Sequence, residues 1–261
     1  MPSVGDDLAY SLDPVLWARE VLGYHPDTWQ AKLLRSRSRK IILNCSRQSG
    51  KSTTCAALGL HESIYRRPSF GLVIAPSQDQ SSELMLKFDE FRGAVELPSD
   101  YLSTDTKLAV KFSNGNRFVA RPGSEKTARS FSAVTLLLED EASRVLDDLY
   151  NTVRPMLAVS NGRHILMSTP FGKRGHFFHI WNEHLDSWEW YEIHAEMCPR
   201  ITKDFLEEEK RTNPWFEQEY HCKFLDASHQ LFSYDLINSM VDPGIKPLFK
   251  AQIMGTPTLE V

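Results

Sequence analysis

Apolar residues along this chain occur in two spacings. Short runs, Lys40 to Asn44, Phe70 to Ala75, Val134 to Leu138 and His164 to Ser168, have the length and content of strands buried on both faces. Between them lie longer stretches with apolar positions three and four apart, from Lys51 to about Tyr65, Gln80 to Arg92 and Leu146 to Leu157. Strands alternating with helices predict an α/β fold with a mainly parallel central sheet flanked by helices. Two helices are predicted ahead of the first strand, Asp13 to Leu22 and Trp29 to Arg35, and Trp190 to His194 is the last core strand. Leu108 to Phe112 and Arg117 to Ala120 flank Ser113-Asn114-Gly115-Asn116, whose Asn-Gly pair predicts a hairpin decorating the parallel core.

After Cys198 the pattern becomes charged and helix-like, over Asp204 to Arg211 and Trp215 to His221, as expected of a small helical lid beside the sheet. From Ser233 regularity fades, and Asp242-Pro243-Gly244 and Gly255-Thr256-Pro257 read as turn or linker. The expected division is a core over 1–195, a lid subdomain over 196–232 and a linker over 233–261.

Composition narrows the class without deciding the chemistry. With 261 residues, 30 Lys+Arg against 34 Asp+Glu and 41% hydrophobic positions, the chain has the proportions of a soluble globular protein. No apolar run approaches the roughly 20 residues of a bilayer span. Asp6 and Asp7 stand where a signal peptide has a basic flank, so an intracellular protein is expected. Cys45, Cys55, Cys198 and Cys222 form no C-x-x-C pair and are expected as reduced thiols. His176 and His179 lack Cys or Asp neighbours in sequence and read as surface or groove histidines. Arg35, Arg37, Arg39 and Lys40 read as a solvated helix end ahead of a strand.

The chemistry begins where the first strand runs into Cys45-Ser46-Arg47-Gln48-Ser49-Gly50-Lys51-Ser52 and a helix follows. This is P-loop spacing with Cys45 in place of the first glycine. In such a loop backbone N–H groups surround the phosphates, here over Ser46 to Thr53. Lys51 neutralises the β/γ oxygens, and the Ser52 hydroxyl binds Mg²⁺. Arg47 puts a guanidinium within reach of the γ-phosphate. Hydrolysis also needs an acid at a strand end and a group that activates water, and Glu139-Asp140-Glu141 after a buried strand supplies both. Asp140 is expected to hold Mg²⁺ through water and Glu141 to orient or deprotonate the attacking water. A slip of one residue in register would hand those roles to Glu139 and Asp140.

This constellation resembles the ATPase domain of the large terminase subunit, the DNA-packaging motor of tailed bacteriophages and related viruses. The likeness runs through about Asp226, and its most specific part is Arg-Gln-Ser-Gly-Lys-Ser, since that family commonly carries an arginine-containing loop. The resemblance implies an ASCE-type P-loop ATPase fold. It also implies that Trp29-Gln30 recognises adenine, that Ser168-Thr169-Pro170 is a coupling motif sensing the γ-phosphate, and that Arg129 is an arginine finger reaching a neighbouring subunit. Arg121 and Arg144 are alternatives for the finger, and Ala75-Pro76-Ser77-Gln78 and Phe171 to Gly175 are segments that could face DNA. Glu217-Gln218-Glu219-Tyr220 resembles the family's lid sequence and reads as structural.

The function implied is ATP- and Mg²⁺-dependent translocation of double-stranded viral DNA into a procapsid, in the cytoplasm of an infected bacterial host. The implied partners are a homo-oligomeric ring on a portal, a small terminase subunit and a C-terminal nuclease domain. That nuclease domain is expected to lie outside these 261 residues, so no nuclease activity and no membrane association are expected. A helicase-like translocase is the alternative from the same ATPase core, and a nucleotide-gated DNA-binding module is a third. A GTPase is disfavoured because no Asn-Lys-x-Asp occurs.

Overall fold

Eight strands form one sheet: β1 (Lys40–Cys45), β2 (Phe70–Ala75), β3 (Leu102–Thr106), β4 (Ala109–Phe112), β5 (Arg117–Pro122), β6 (Leu136–Asp140), β7 (Arg163–Ser168) and β8 (Glu189–Ile193). Their order is β3-β4-β5-β2-β6-β7-β1-β8. Every pairing from β5 across to β8 is parallel, and β3 and β4 add an antiparallel extension at one edge. The structure, a computed structural model, describes residues 3–98, 100–122, 131–226, 236, 239 and 240. Met1–Leu225 forms one unit and Asp226–Val261 a second. The expected linker from 233 lies almost wholly outside the described residues.

The helices are α1 (Val4–Leu12), α2 (Pro14–Glu20), α3 (Thr28–Arg35), α4 (Lys51–Tyr65), α5 (Gln78–Ala94), α6 (Asp147–Val153), α7 (Gly175–Glu183), α8 (Lys203–Thr212) and α9 (Phe216–Glu219). Two elements differ from the sequence reading for a physical reason. Helix α1 buries none of its residues and leaves Val4, Leu8 and Leu12 exposed; its start is a capping box between Ser3 and Asp6, not a core-facing stripe. Strand β3 reads Leu-Ser-Thr-Asp-Thr and is held by its ladder to β4, so it carries little apolar signal. The hairpin also does more than decorate the sheet. Its second arm, β5, pairs with β2 from Phe70↔Arg117 to Ala75↔Pro122 and is a core strand.

Core strands bury alternate residues on opposite faces. Ile41, Leu43, Val73, Leu136, Leu138, Ile165 and Met167 pack with Trp17, Leu33, Leu58 and Phe88 of α2 to α5. Leu72, Ile74 and Leu137 meet Leu149 and Val153 of α6, while Ile42 and Leu166 meet Phe177 and Ile180 of α7. Each such side chain contributes about 1.5–3 kcal/mol by leaving water. Gly59 and Gly71 let α4 and β2 close on the buried Phe118 ring, which a Cβ at either position would strike. After β8 a satellite cluster of Ala195, Leu206, Phe216 and Tyr220 holds α8 and α9 together. Hydrogen bonds from Asn44 Nδ2 to Cys222 O, Ala195 N to Tyr220 O and Arg47 N to Glu219 O tie this region to β1, β8 and the loop after β1.

Candidate functional site

The loop after β1 turns on positive φ at Gln48 (59°) and Gly50 (90°), which bends the chain into the start of α4. A Cβ at Gly50 would also press on the Gln30 amide, 2.8 Å from its Nε2. Arg47 to Thr53 line a polar cavity of about 430 Å³, together with Gln80, Glu141, Arg144, Thr169, Pro170, Gln218 and Glu219. The free N–H groups of the first turn of α4 give this end of the cavity a positive potential.

Strand parity decides which acid of the Glu139-Asp140 pair meets the loop. Asp140 continues the face of Leu136 and Leu138 toward α4, and its Oδ2 accepts a 3.1 Å hydrogen bond from Ser52 Oγ. Glu139 shares the face of Leu137, and its fully buried carboxylate meets His164 Nε2 at 2.6 Å and His176 Nε2 at 3.2 Å. The slipped register, with Glu139 at the loop, is therefore not the one adopted. A residue following Asp140 in extended chain would also point away. Glu141 instead takes left-handed φ 50°, ψ 44°, which turns the chain so that its Oε1 lies 2.9 Å from Lys51 Nζ. That conformation costs a non-glycine residue about 1–2 kcal/mol.

Burial pushes the Asp140 carboxyl up from its ordinary value, with Glu141 adding to the effect. Burial pulls the Lys51 ammonium down, but Glu141 and Asp140 outweigh it and the net shift is upward. A hydroxyl and a carboxylate side by side are hard oxygen donors of the kind Mg²⁺ takes, with water completing the shell. Ser52 and Asp140 thus fit that ion.

The remaining sequence-assigned residues divide into three groups. Arg47 lines the cavity, but its Nη1 is 3.0 Å from Glu219 Oε1 of α9. Ser46 is fully buried beneath the loop. Ser168 is also buried, its Oγ 2.7 Å from Ser143 Oγ in the turn after Glu141, while Ser143 Oγ donates to Thr169 O at 2.8 Å. Trp29 packs in the core and Gln30 is 1% exposed behind the loop; neither lines the cavity. Gln30 Oε1 accepts from Asp27 N at 2.8 Å and its Nε2 donates to Ser49 O at 3.3 Å, so it props the loop from outside. Arg129 lies outside the described residues. Of its alternatives, Arg144 lines the cavity and stacks on Phe171, 3.7 Å from the ring centroid, whereas Arg121 lies against Phe131.

Sequence reasoning missed Gln80, Ser143, Gln218 and Glu219. Gln218 and Glu219 sit in the segment read as structural, and the fold brings them to the cavity. Gln80 lies two residues past Ala75-Pro76-Ser77-Gln78, in the first turn of α5, the nearest signal available. His176 is a further correction: it is buried, and the partner absent from its sequence neighbourhood is Asp147 of α6.

Comparisons with known proteins agree with one another. The family described as terminase large subunit, T4likevirus-type, N-terminal, matches residues 42–239. Large terminase subunits of Thermus phage G20c and Thermus virus P23-45 are 26% identical over 174 and 171 residues, which is 59% of this chain and 35% of each relative. The matched part thus spans about a third of those relatives. The large terminase ATPase domain of Thermus phage P74-26 superposes with a TM-score of 0.70 at 21% identity, covering 79% of this chain and 97% of that one. The large terminase of bacteriophage HK97 gives 0.68 at 14% identity, covering 82% and 55%. The large terminase of bacteriophage D6E in complex with ADP gives 0.60 at 12%, covering 77% and 54%. At these identities the likeness establishes the fold.

Proposed function

The chain belongs to the terminase large-subunit family, in its T4likevirus-type N-terminal part, and from that membership we propose that it is the Mg²⁺-dependent ATPase of a motor driving double-stranded viral DNA into a procapsid. The observation that carries this reading is the double pairing of Lys51 with Glu141 and Ser52 with Asp140 beside one polar cavity, which Lys51, Ser52 and Glu141 line and behind whose wall Asp140 is buried. Lys51 and the backbone N–H groups of Gln48 to Thr53 receive the phosphates. A phosphate that takes Lys51 releases Glu141, whose carboxylate then orients and deprotonates the attacking water. Ser52 and Asp140 would hold Mg²⁺, which when bound neutralises charge on the phosphate oxygens.

Arg47 links this chemistry to movement. An entering phosphate competes with Glu219 for its guanidinium, so nucleotide loading loosens α9 from the loop. Loss of the γ-phosphate is relayed through Thr169 and the Ser168–Ser143 contact, which joins the end of β7 to the turn carrying Glu141. Arg129 reaches a neighbouring subunit as the arginine finger, in a homo-oligomeric ring on a portal. Duplex DNA, a small terminase subunit and a C-terminal nuclease domain are the other partners, and the motor acts in the cytoplasm of an infected bacterial host. The lid reading of residues 196–232 rests on the separate apolar cluster of α8 and α9.

The test is steady-state phosphate release from ATP with Mg²⁺, over a range of protein concentration and with or without linear duplex DNA. Glu141→Gln should lower turnover by about 10²–10⁴-fold with ADP affinity retained. DNA stimulation and a faster-than-linear concentration dependence are expected of a ring motor. Undiminished turnover in Glu141→Gln would remove the catalytic assignment.

A further inference from the structure

Beneath the catalytic carboxylates lies a charged network that the scheme above does not use, with Glu139 and His176 buried and Asp147 at the surface. His176, the second residue of α7, is 6% exposed. Its Nε2 lies 3.2 Å from Glu139 Oε2, its Nδ1 lies 3.1 Å from Asp147 Oδ1, and its backbone N–H donates to that same Asp147 oxygen at 2.7 Å. Tyr150 stacks on the ring, centroids 4.1 Å apart and planes within 10°. An ionised carboxylate only accepts hydrogen bonds, so both ring nitrogens are satisfied together only when both carry protons. Satisfying both contacts takes an imidazolium between two carboxylates.

The three anchors matter because of where they sit. Glu139 immediately precedes Asp140, and Asp147 opens α6, just past the turn that carries Glu141 and Ser143. His176 opens α7 at the far end of the loop that begins with Thr169. The near end of that loop is already tied to the turn through Ser168 and Ser143. One ring therefore fastens both flanks of the carboxylate turn to the far end of the loop, while Thr169 and Pro170 between the two ties line the cavity.

On the reading that Asp140 and Glu141 serve hydrolysis, we infer that His176 is a positioning residue, holding the carboxylate turn and the loop after β7 in the spacing that turnover requires. Burial lowers the affinity of its ring for a proton, but Glu139 and Asp147 outweigh that and the net shift is upward. The groups facing the ring are Glu139 of β6 and Asp147 and Tyr150 of α6; His164 of β7 shares Glu139, and Arg154 lies over the Tyr150 ring. As pH rises through the folded pKa of His176 the charge is lost, one carboxylate loses the donor on the ring while keeping its second contact, Glu139 to His164 or Asp147 to the His176 backbone N–H, and the spacing relaxes.

The experiment compares wild type, His176→Gln and Glu139→Gln/His176→Gln. The double variant removes the buried carboxylate that the single one leaves short of donors, and so guards the fold. Phosphate release is followed from about pH 6 to pH 10, a range bracketing a raised histidine, and ¹⁵N spectra report the wild-type ring. Both ring nitrogens should be protonated at neutral pH. Both variants should lose about tenfold in kcat, as supporting residues around a site commonly do, with KM for ATP steady and the alkaline fall in kcat that His176 causes abolished. A folded double variant with wild-type kcat and pH profile would overturn the role, as would a neutral His176 ring. No phosphate release from wild type at all would overturn the hydrolytic reading and this role with it.

Discussion

Gln30→Ala separates reading a base from supporting a loop. In the structure both ends of the amide are occupied, Oε1 by the N–H of Asp27 at the start of α3 and Nε2 by Ser49 O. Removing the first bond undoes a capping box worth about 1 kcal/mol. The second bond is long at 3.3 Å, and Ser49 O keeps a 3.1 Å bond from Arg200 Nη2, so its loss adds at most about 0.5–1 kcal/mol. The side chain is 1% exposed, and the space left by the truncation costs about another 1 kcal/mol. The expected total is about 2–3 kcal/mol, read as a lower midpoint in urea unfolding. Slack in the loop acts on the phosphates, so titration calorimetry should show ADP and GDP losing affinity alike, by about 3–10-fold. Weaker ADP binding with GDP binding and stability unchanged would refute the supporting role and restore Gln30 as a base-reading residue.

The pair between Arg47 and Glu219 is partly exposed, so breaking it should cost under about 1 kcal/mol of stability; freed of that competitor, Arg47 should bind a non-hydrolysable ATP analogue about 2–5-fold more tightly in Glu219→Gln, checked by calorimetry. Burial pushes the Glu139 carboxyl up, but hydrogen bonds and charge from His164 and His176 outweigh it and hold it down to about 2. The stability this confers is present above the unfolded value near 4.5 and is lost as pH falls toward 2. It is on the order of 3 kcal/mol, and urea midpoints measured across that window should decline more steeply in wild type than in Glu139→Gln. Gly71→Ala should destabilise by about 1–3 kcal/mol through overpacking against Phe118. Adding Phe118→Leu should then cost less than it does alone, and additive losses in the double-mutant cycle would refute the contact.

Local periodicity was enough to read the α/β class, most of the parallel strands and the strand-loop-helix that carries Lys51 and Ser52. Hydrophobic spacing and a glycine at a forced turn are properties of neighbouring residues, and they survive in the sequence. What it could not decide was parity. A strand buried on both faces is apolar throughout, so Leu136-Leu137-Leu138 gives no sign of which side meets α4, and hence whether Glu139 or Asp140 faces the loop. Only the sheet, with α4 and α5 on one face and α6 and α7 on the other, assigns Asp140 to Ser52 and Glu139 to two histidines. The same limit applies to Arg47 and Glu219, 172 residues apart, to His176 and Asp147, and to Gln30, whose family-like position ahead of the P-loop did not reveal that the fold buries it behind that loop. Pairings of this kind are set by how layers stack, and the energy that selects them comes from burial over the whole core, not from the residues that meet.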